Sequence, residues 1–270
     1  MRRGAALLAA VFVAGLAAPA AAQCRMALAL ALDVSGSVDR QEYRLQRDGL
    51  AGALLRPRVQ RILLARPDAP VRIMAYEWSG PEHQRVLADW TDITSAQVLA
   101  AFSARIAQTR RVGAAPTTAL GTTMAYGLLR LSEQADCAER TLDISGDGKA
   151  NSGPLPEEIK PQAEVLGITI NALVIGSEDP PNVEGRILEV DELANYFSDH
   201  VITGEDSFVE IAFGFEDYER AMARKLAREI EPRFFSRLAP SAPTGPGPPT
   251  ERRAMTPSPR AAALAITDTQ

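Results

Sequence analysis

The stretch 26–32 is apolar at every position and has the length of a strand, the pattern of a strand buried on both faces of a parallel sheet. It stops at Asp33. Asp39, with Glu42 three residues on, predicts a capping box, and Tyr43, Leu50 and Leu54 then recur at helical spacing. The runs 71–78 and 84–90 alternate like strands around Ser79-Gly80-Pro81-Glu82, which predicts a hairpin. A helix is expected over 98–106. Beyond a Gly/Pro loop at 112–118, Leu120, Met124, Leu128 and Leu131 line one helical face. A strand at 140–145 and a loop at 146–156 follow. Pro161 is expected at a first helical position, and 167–175 reads as a second buried strand. The last strand is expected at 207–213. Phe215, Tyr218, Met222, Leu226 and Ile230 then mark a closing amphipathic helix. This alternation predicts an α/β fold, doubly wound, with a mostly parallel central sheet, helices on both faces and one antiparallel edge strand from the hairpin.

The two ends depart from this pattern. Met1-Arg2-Arg3, an apolar run at 5–18, Pro19 and the string Ala20-Ala21-Ala22 read as a secretory signal peptide over 1–22, cleaved after Ala22. The alternative, an uncleaved anchor, needs a longer and less Ala-rich span. Gln23 stands where a small residue would precede a lipidated Cys24. At the other end, residues 239–270 contain seven of the 19 prolines and few large apolar residues, so a disordered Pro/Ala-rich tail is expected. Between them, 24–238 has the size of one domain.

Composition then narrows the chemistry. Among 270 residues, 29 basic against 34 acidic side chains give a net charge of −5, and loss of Arg2 and Arg3 makes it −7. No broad positive field is left to attract nucleic acid. Two Cys and two His supply too few soft ligands for a zinc or iron–sulfur site, so a metal would be held by oxygen.

Ligands in open α/β sheets bind beyond the carboxyl ends of the strands. The first strand delivers Asp33-Val34-Ser35-Gly36-Ser37 there and a later one delivers Gly146-Asp147-Gly148, with Thr118-Ala119-Leu120-Gly121 at the mouth of a helix between them. Two carboxylates and three hydroxyls suit a hard ion: Mg²⁺ first, with Mn²⁺ or Ca²⁺ as competitors.

These residues resemble the metal-ion-dependent adhesion site of von Willebrand factor type A (VWA) domains, a Rossmann-like fold. The match consists of Asp33-x-Ser35-x-Ser37, Thr118 before Gly121, and Asp147 in a Gly-Asp-Gly turn. Leu30-Ala31-Leu32-Asp33-Val34-Ser35-Gly36-Ser37, Tyr76-Glu77-Trp78-Ser79-Gly80 and Asp143-Ile144-Ser145-Gly146-Asp147-Gly148 further resemble a family of secreted bacterial VWA-like proteins of unknown function. The resemblance implies that Ser35, Ser37 and Thr118 touch the metal while Asp33 and Asp147 supply charge and orientation, often through water. It implies a protein partner that donates an Asp or Glu carboxylate as the last ligand; the signal peptide, for its part, predicts a secreted or periplasmic setting without an integral membrane segment after cleavage. Thr117 is the alternative to Thr118, and the Thr-x-Leu-Gly spacing favours Thr118. In the VWA sheet the strands after Cys24 and Cys137 are parallel neighbours, so the resemblance also implies a Cys24–Cys137 disulfide.

Other residues are read more plainly. Asp143 inside a strand needs buried partners and is given a structural role. His83 and His200 form no helical pair, and Glu77 is a candidate for the site rim. The enzymatic alternative is a Mg²⁺-dependent haloacid-dehalogenase-like phosphatase with Asp33 as nucleophile, but Ser35 stands where that chemistry needs its general acid. Neither Ser35 nor Ser145 lies in a G-x-S-x-G elbow of a serine hydrolase.

Overall fold

In the computed structural model, which describes residues 24–176 and 183–231 (183–187 by backbone alone), the chain alternates strands and helices. In chain order they are β1 (Cys24–Asp33), α1 (Arg40–Leu55), α2 (Pro57–Leu63), β2 (Val71–Trp78), β3 (Gln84–Ile93), α3 (Ala96–Ala107) and α4 (Leu120–Ser132). There follow β4 (Cys137–Gly146), α5 (Pro156–Leu166), β5 (Thr169–Ile175), α6 (Val183–Tyr196), β6 (Val209–Ala212) and α7 (Tyr218–Ile230). The sheet order is β3-β2-β1-β4-β5-β6. All neighbours are parallel except β3, which runs antiparallel to β2 at the edge.

Because successive strand residues point to opposite faces, β1 serves two cores at once. Leu28, Leu30 and Leu32 pack on one face with residues of α1, α3 and α7, among them Leu50, Phe102 and Met222. Ala27, Ala29 and Ala31 pack on the other with α4, whose Leu120, Met124, Leu128 and Leu131 are all buried as their spacing predicts. Small residues let α4 lie close to the sheet: a Cβ on Gly127 would stand 2.6 Å from Leu142 Cδ1. The order places the carboxyl ends of β1 and β4 side by side, with β2 turning away to one side and β5 to the other. That is the reversal point at which an open α/β sheet leaves a crevice.

Cys24 and Cys137 are register partners at the opposite, amino ends of β1 and β4. They form a disulfide with Cα atoms 4.5 Å apart. Asp143 on β4 also finds partners. Lys225 Nζ of α7, fully buried, lies 2.7 Å from Asp143 Oδ1 and 2.6 Å from Glu229 Oε1, and Asn171 Nδ2 donates to that same Glu229 oxygen at 2.7 Å.

Several elements differ from expectation. Pro161 does not open a helix: α5 begins at Pro156, whose missing N–H costs nothing at the first turn, and Pro161 sits inside it. Gly167 is the left-handed C-cap of α5 (φ 62°), so β5 begins at Thr169 rather than at 167. The final strand is only four residues long, and Phe215 lies in a 3₁₀ turn (Phe215–Asp217) ahead of α7. Helices α2 and α6 were not anticipated, since α2 is short and α6 mixes exposed Leu188 with acidic residues. The expected signal peptide (1–22), the tail (239–270) and the stretch 232–238 lie outside the described residues.

Candidate metal centre

The site begins where β1 runs out of apolar residues. Asp33 Oδ1 accepts the N–H of Ser35 at 2.8 Å, turning the chain out of the strand, while Gln46 Nε2 of α1 donates to the Asp33 carbonyl at 2.8 Å. Two residues after Ser37 the chain enters α1 through the expected capping box. Asp39 accepts from the N–H groups of Gln41 and Glu42, and Glu42 Oε2 accepts from the Asp39 N–H. The loop carrying both serines is thus held by a strand end and a helix cap.

Ser37 Oγ donates to Asp147 Oδ1 at 2.7 Å, joining two loops 110 residues apart in sequence. The Ser35 and Ser37 hydroxyls stand 3.2 Å from each other. Asp33 is fully buried, and its Oδ2 has no hydrogen-bond partner. Gly146 packs closely here, since a Cβ on it would stand 3.2 Å from Phe197 Cζ, tighter than an ordinary contact, and 3.4 Å from that oxygen. Burial, and then the like charge of Asp147, push the Asp33 carboxyl well above the usual carboxylate range, and burial raises Asp147 as well. Two carboxylates that repel each other thus stand with the Ser35 and Ser37 hydroxyls, an oxygen cluster whose charge a divalent cation would neutralise.

The structure separates the two threonines. Thr118 is buried, with its Oγ1 3.8 Å from where a Gly148 Cβ would be, whereas the Thr117 hydroxyl faces Gly80. Asn151 clamps Thr118 from both sides: its Oδ1 accepts the Thr118 N–H at 2.8 Å and its own N–H donates to the Thr118 carbonyl at 3.0 Å. The sequence reading did not single out Asn151. Its only signal is an Asn in the polar, Gly-rich loop after Asp147.

The loop before Thr118 also touches the serine loop. Gly36 N–H donates to the Pro116 carbonyl at 3.2 Å, and a Cβ on Gly36 would stand 2.8 Å from that oxygen. Gly36→Ala is therefore expected to separate the loops, lowering stability by about 1–3 kcal/mol and weakening cation binding. Paired urea denaturation and cation titration check this, and a variant matching the wild type in both contradicts it.

Glu77 is not at the rim. It shares the face of Leu32 and is almost fully buried, bound by Arg85 at 2.7 Å, Tyr43 at 3.1 Å and His83 at 3.3 Å. His200 pairs with Glu157. Ser145 Oγ lies 2.9 Å from Tyr218 Oη, so its hydroxyl partner is a phenol and not a histidine base. Among the described residues no group of three or more His, Cys, Asp or Glu gathers to hold a metal. Serine and threonine must complete any site here.

The family model for a protein of unknown function, DUF1194, matches residues 23–234. The chain belongs to the DUF1194 family. No curated protein sequence matches it. Among solved structures, this DUF1194 chain is similar to proximal thread matrix protein 1 from the mussel byssus, at 13% identity and TM-score 0.53 over 77% of this chain and 48% of that one. A second structure of the mussel protein (13% identity, TM-score 0.52, 77% and 46% covered) has a zinc-occupied MIDAS motif. The pilus adhesin SpaC of Lactobacillus rhamnosus GG aligns at 13% identity and TM-score 0.53, over 77% of this chain and 30% of its own. The chain thus spans from under a third to about half of the length of these structures. At this identity they show the fold, and the DUF1194 chain has the VWA-like α/β fold that its motifs resemble.

Proposed function

We propose that this DUF1194 chain is a binding module that holds a divalent cation through Asp33, Ser35, Ser37, Thr118 and Asp147 and uses it to engage an Asp or Glu carboxylate of a partner protein. The observation that carries the reading is the hydrogen bond from Ser37 to Asp147 beside the buried, unpartnered Oδ2 of Asp33. A bound ion would supply an electrophilic position for a partner's carboxylate oxygen. The protein's own part is to keep most donors neutral: Ser35, Ser37 and Thr118 contribute hydroxyls, while Asp33 and Asp147 hold the negative charge. Mg²⁺ is the ion that the donor set favours, with Mn²⁺ and Ca²⁺ next, and the zinc in the mussel protein's motif makes Zn²⁺ a fourth to test.

A non-enzymatic role fits solved neighbours that are a thread matrix protein and a pilus adhesin. A setting outside the cytoplasm fits the Cys24–Cys137 disulfide, a bond that persists where conditions are oxidising. No helix among the described residues is long and apolar enough to cross a membrane.

Calorimetric titration of the metal-free protein with Mg²⁺, Mn²⁺, Ca²⁺ and Zn²⁺ tests the reading. Wild type is expected to bind at least one ion with a rise in Tm, and Asp33→Ala to lose both. A phosphatase assay with a generic phosphate ester separates the rival enzyme. Mg²⁺-dependent turnover abolished by Asp33→Ala would overturn the binding-module reading.

A further inference from the structure

We infer that the partner segment engaged at this site carries further acidic residues beside its metal-binding carboxylate, on the side that lies over α1 and the loop between α3 and α4. The inference rests on the proposed cation-bridged binding and adds the charge of the partner around the bridging residue.

It comes from arginines concentrated on one flank of a chain that is negative overall. Arg40, Arg44 and Arg47 recur at helical spacing on one face of α1, directly after the serine loop. Arg47 shows where that face points, because its Nη1 donates to the Thr109 carbonyl of the α3–α4 loop at 2.7 Å. Arg85 Nη2 holds the same loop at the Arg110 carbonyl, at 2.9 Å, and the Pro116 carbonyl meets Gly36 beside Ser35 and Ser37. The loop therefore carries Arg111 against α1, its guanidinium 6.0 Å from the ring centroid of Tyr43, with Arg110 next to it in the chain.

Arg47 and Arg85 have acidic partners in Asp48 and Glu77. Arg40, Arg44, Arg110 and Arg111 take part in no ion pair among the described residues, and three of them are exposed. The nearby carboxylates Asp39 and Glu42 are occupied by the capping box. Asp39 offsets part of this charge, since Arg111 and Arg44 act on its carboxylate, but the arginines named on this flank outnumber its carboxylates, and an acidic ligand would be attracted to the excess.

Among the described residues, the opposite flank does not share this excess of arginine. Beyond Asp147 a cleft of about 250 Å³ is bordered by Glu189 and Glu192 of α6, and Lys149 there is already paired with Glu192. The described charges thus differ across the candidate centre, with the excess of arginine on the α1 side and Glu189 on the α6 side. Acidic residues on one side of the bridging carboxylate fit this difference best.

The test uses labelled synthetic peptides with one central Glu in a Gly/Ser background, flanked on one side or the other by Glu-Glu, Lys-Lys or Ser-Ser. Binding is read by fluorescence anisotropy at saturating Mg²⁺ and low ionic strength. In at least one of the two orders, the Glu-flanked peptide is expected to bind about tenfold more tightly than the Ser-flanked one, with the difference shrinking as salt is added. Arg110→Glu/Arg111→Glu should reverse the preference toward Lys flanks, and Arg44→Glu, on a different element, should weaken it. Calorimetric Mg²⁺ binding should stay unchanged in both. If Mg²⁺ binds and the flanking charge makes no difference, or charge reversal leaves the preference intact, or no peptide binds, the inference is wrong while the cation site stands. If wild type binds no divalent ion, the reading beneath it fails and takes the inference with it.

Discussion

Lys225→Ala is expected to cost about 3–5 kcal/mol of folding stability, more than any other single side-chain truncation considered for this chain. The ammonium is fully buried between Asp143 and Glu229, 2.7 and 2.6 Å from their oxygens. Its removal leaves two carboxylates facing each other without a cation, which is far worse than losing one favourable contact. One ammonium cannot balance two buried carboxylates, so one of them keeps a proton. Burial, and then the charge of Glu229, push the Asp143 carboxyl up to about 8. The folded state then holds a proton that the unfolded chain releases near the ordinary carboxylate value. For this group stability is highest at low pH and falls as pH rises from about 4 to about 8. Asp143→Asn is expected to remove this group's share of the slope, because an amide does not titrate, and to leave the share of the raised Asp33 and Asp147 carboxyls. Urea denaturation across this range reads both effects, and a wild-type contribution that rises with pH and survives in Asp143→Asn would contradict the assignment.

Removal of the disulfide is expected to have an effect of similar size. Cys24 and Cys137 are 113 residues apart, and closing a loop of that size lowers the entropy of the unfolded chain by an amount worth about 4–5 kcal/mol, an upper figure. Cys24→Ser/Cys137→Ser should lower the denaturation midpoint accordingly, and reductant should do the same to wild type and nothing to the variant. The bond sits at the amino ends of β1 and β4, while Asp33 and Asp147 lie at their carboxyl ends. Cation affinity should therefore be the same in oxidised and reduced protein wherever both remain folded. Equal stability with and without reductant would show that the bond does not constrain the chain.

Much of this arrangement was legible in the sequence where a single periodicity decided it. The unbroken apolar run of β1 could only be a strand with both faces covered, and Asp39 with Glu42 fixed the start of α1 by local hydrogen bonding alone. The alternation of strands and helices predicted the sheet, and the resemblance placed the two cysteines side by side. Local signals failed where tertiary packing took over. Pro161 looked like a helix start because proline favours the first turn, yet Pro156 already occupied that position and the buried Ile159 and Ala163 held the helix through it. In α6, charged and apolar residues alternate without a clean stripe, so no period marked it.

At the site, the candidate ligands were visible as a motif, but their supports were not. Asn151 clamps Thr118 through a side chain 33 residues away, and Gly36 matters because the Pro116 carbonyl of another loop comes close. Neither is a pattern along the chain. Glu77 was only a candidate for the rim, since nothing along the chain fixes its place. The pleat turned it to the opposite face, where Arg85, Tyr43 and His83 hold it.

The central claim is that the strand-end cluster holds a divalent ion. Anomalous diffraction from crystals of the wild-type protein soaked in Mn²⁺ tests it most directly, since the scattering locates the metal itself. One strong peak is expected, bounded by the hydroxyls of Ser35, Ser37 and Thr118 and the carboxylates of Asp33 and Asp147, and absent in Asp33→Ala. No peak at saturating Mn²⁺, or a peak away from these five residues, would contradict it.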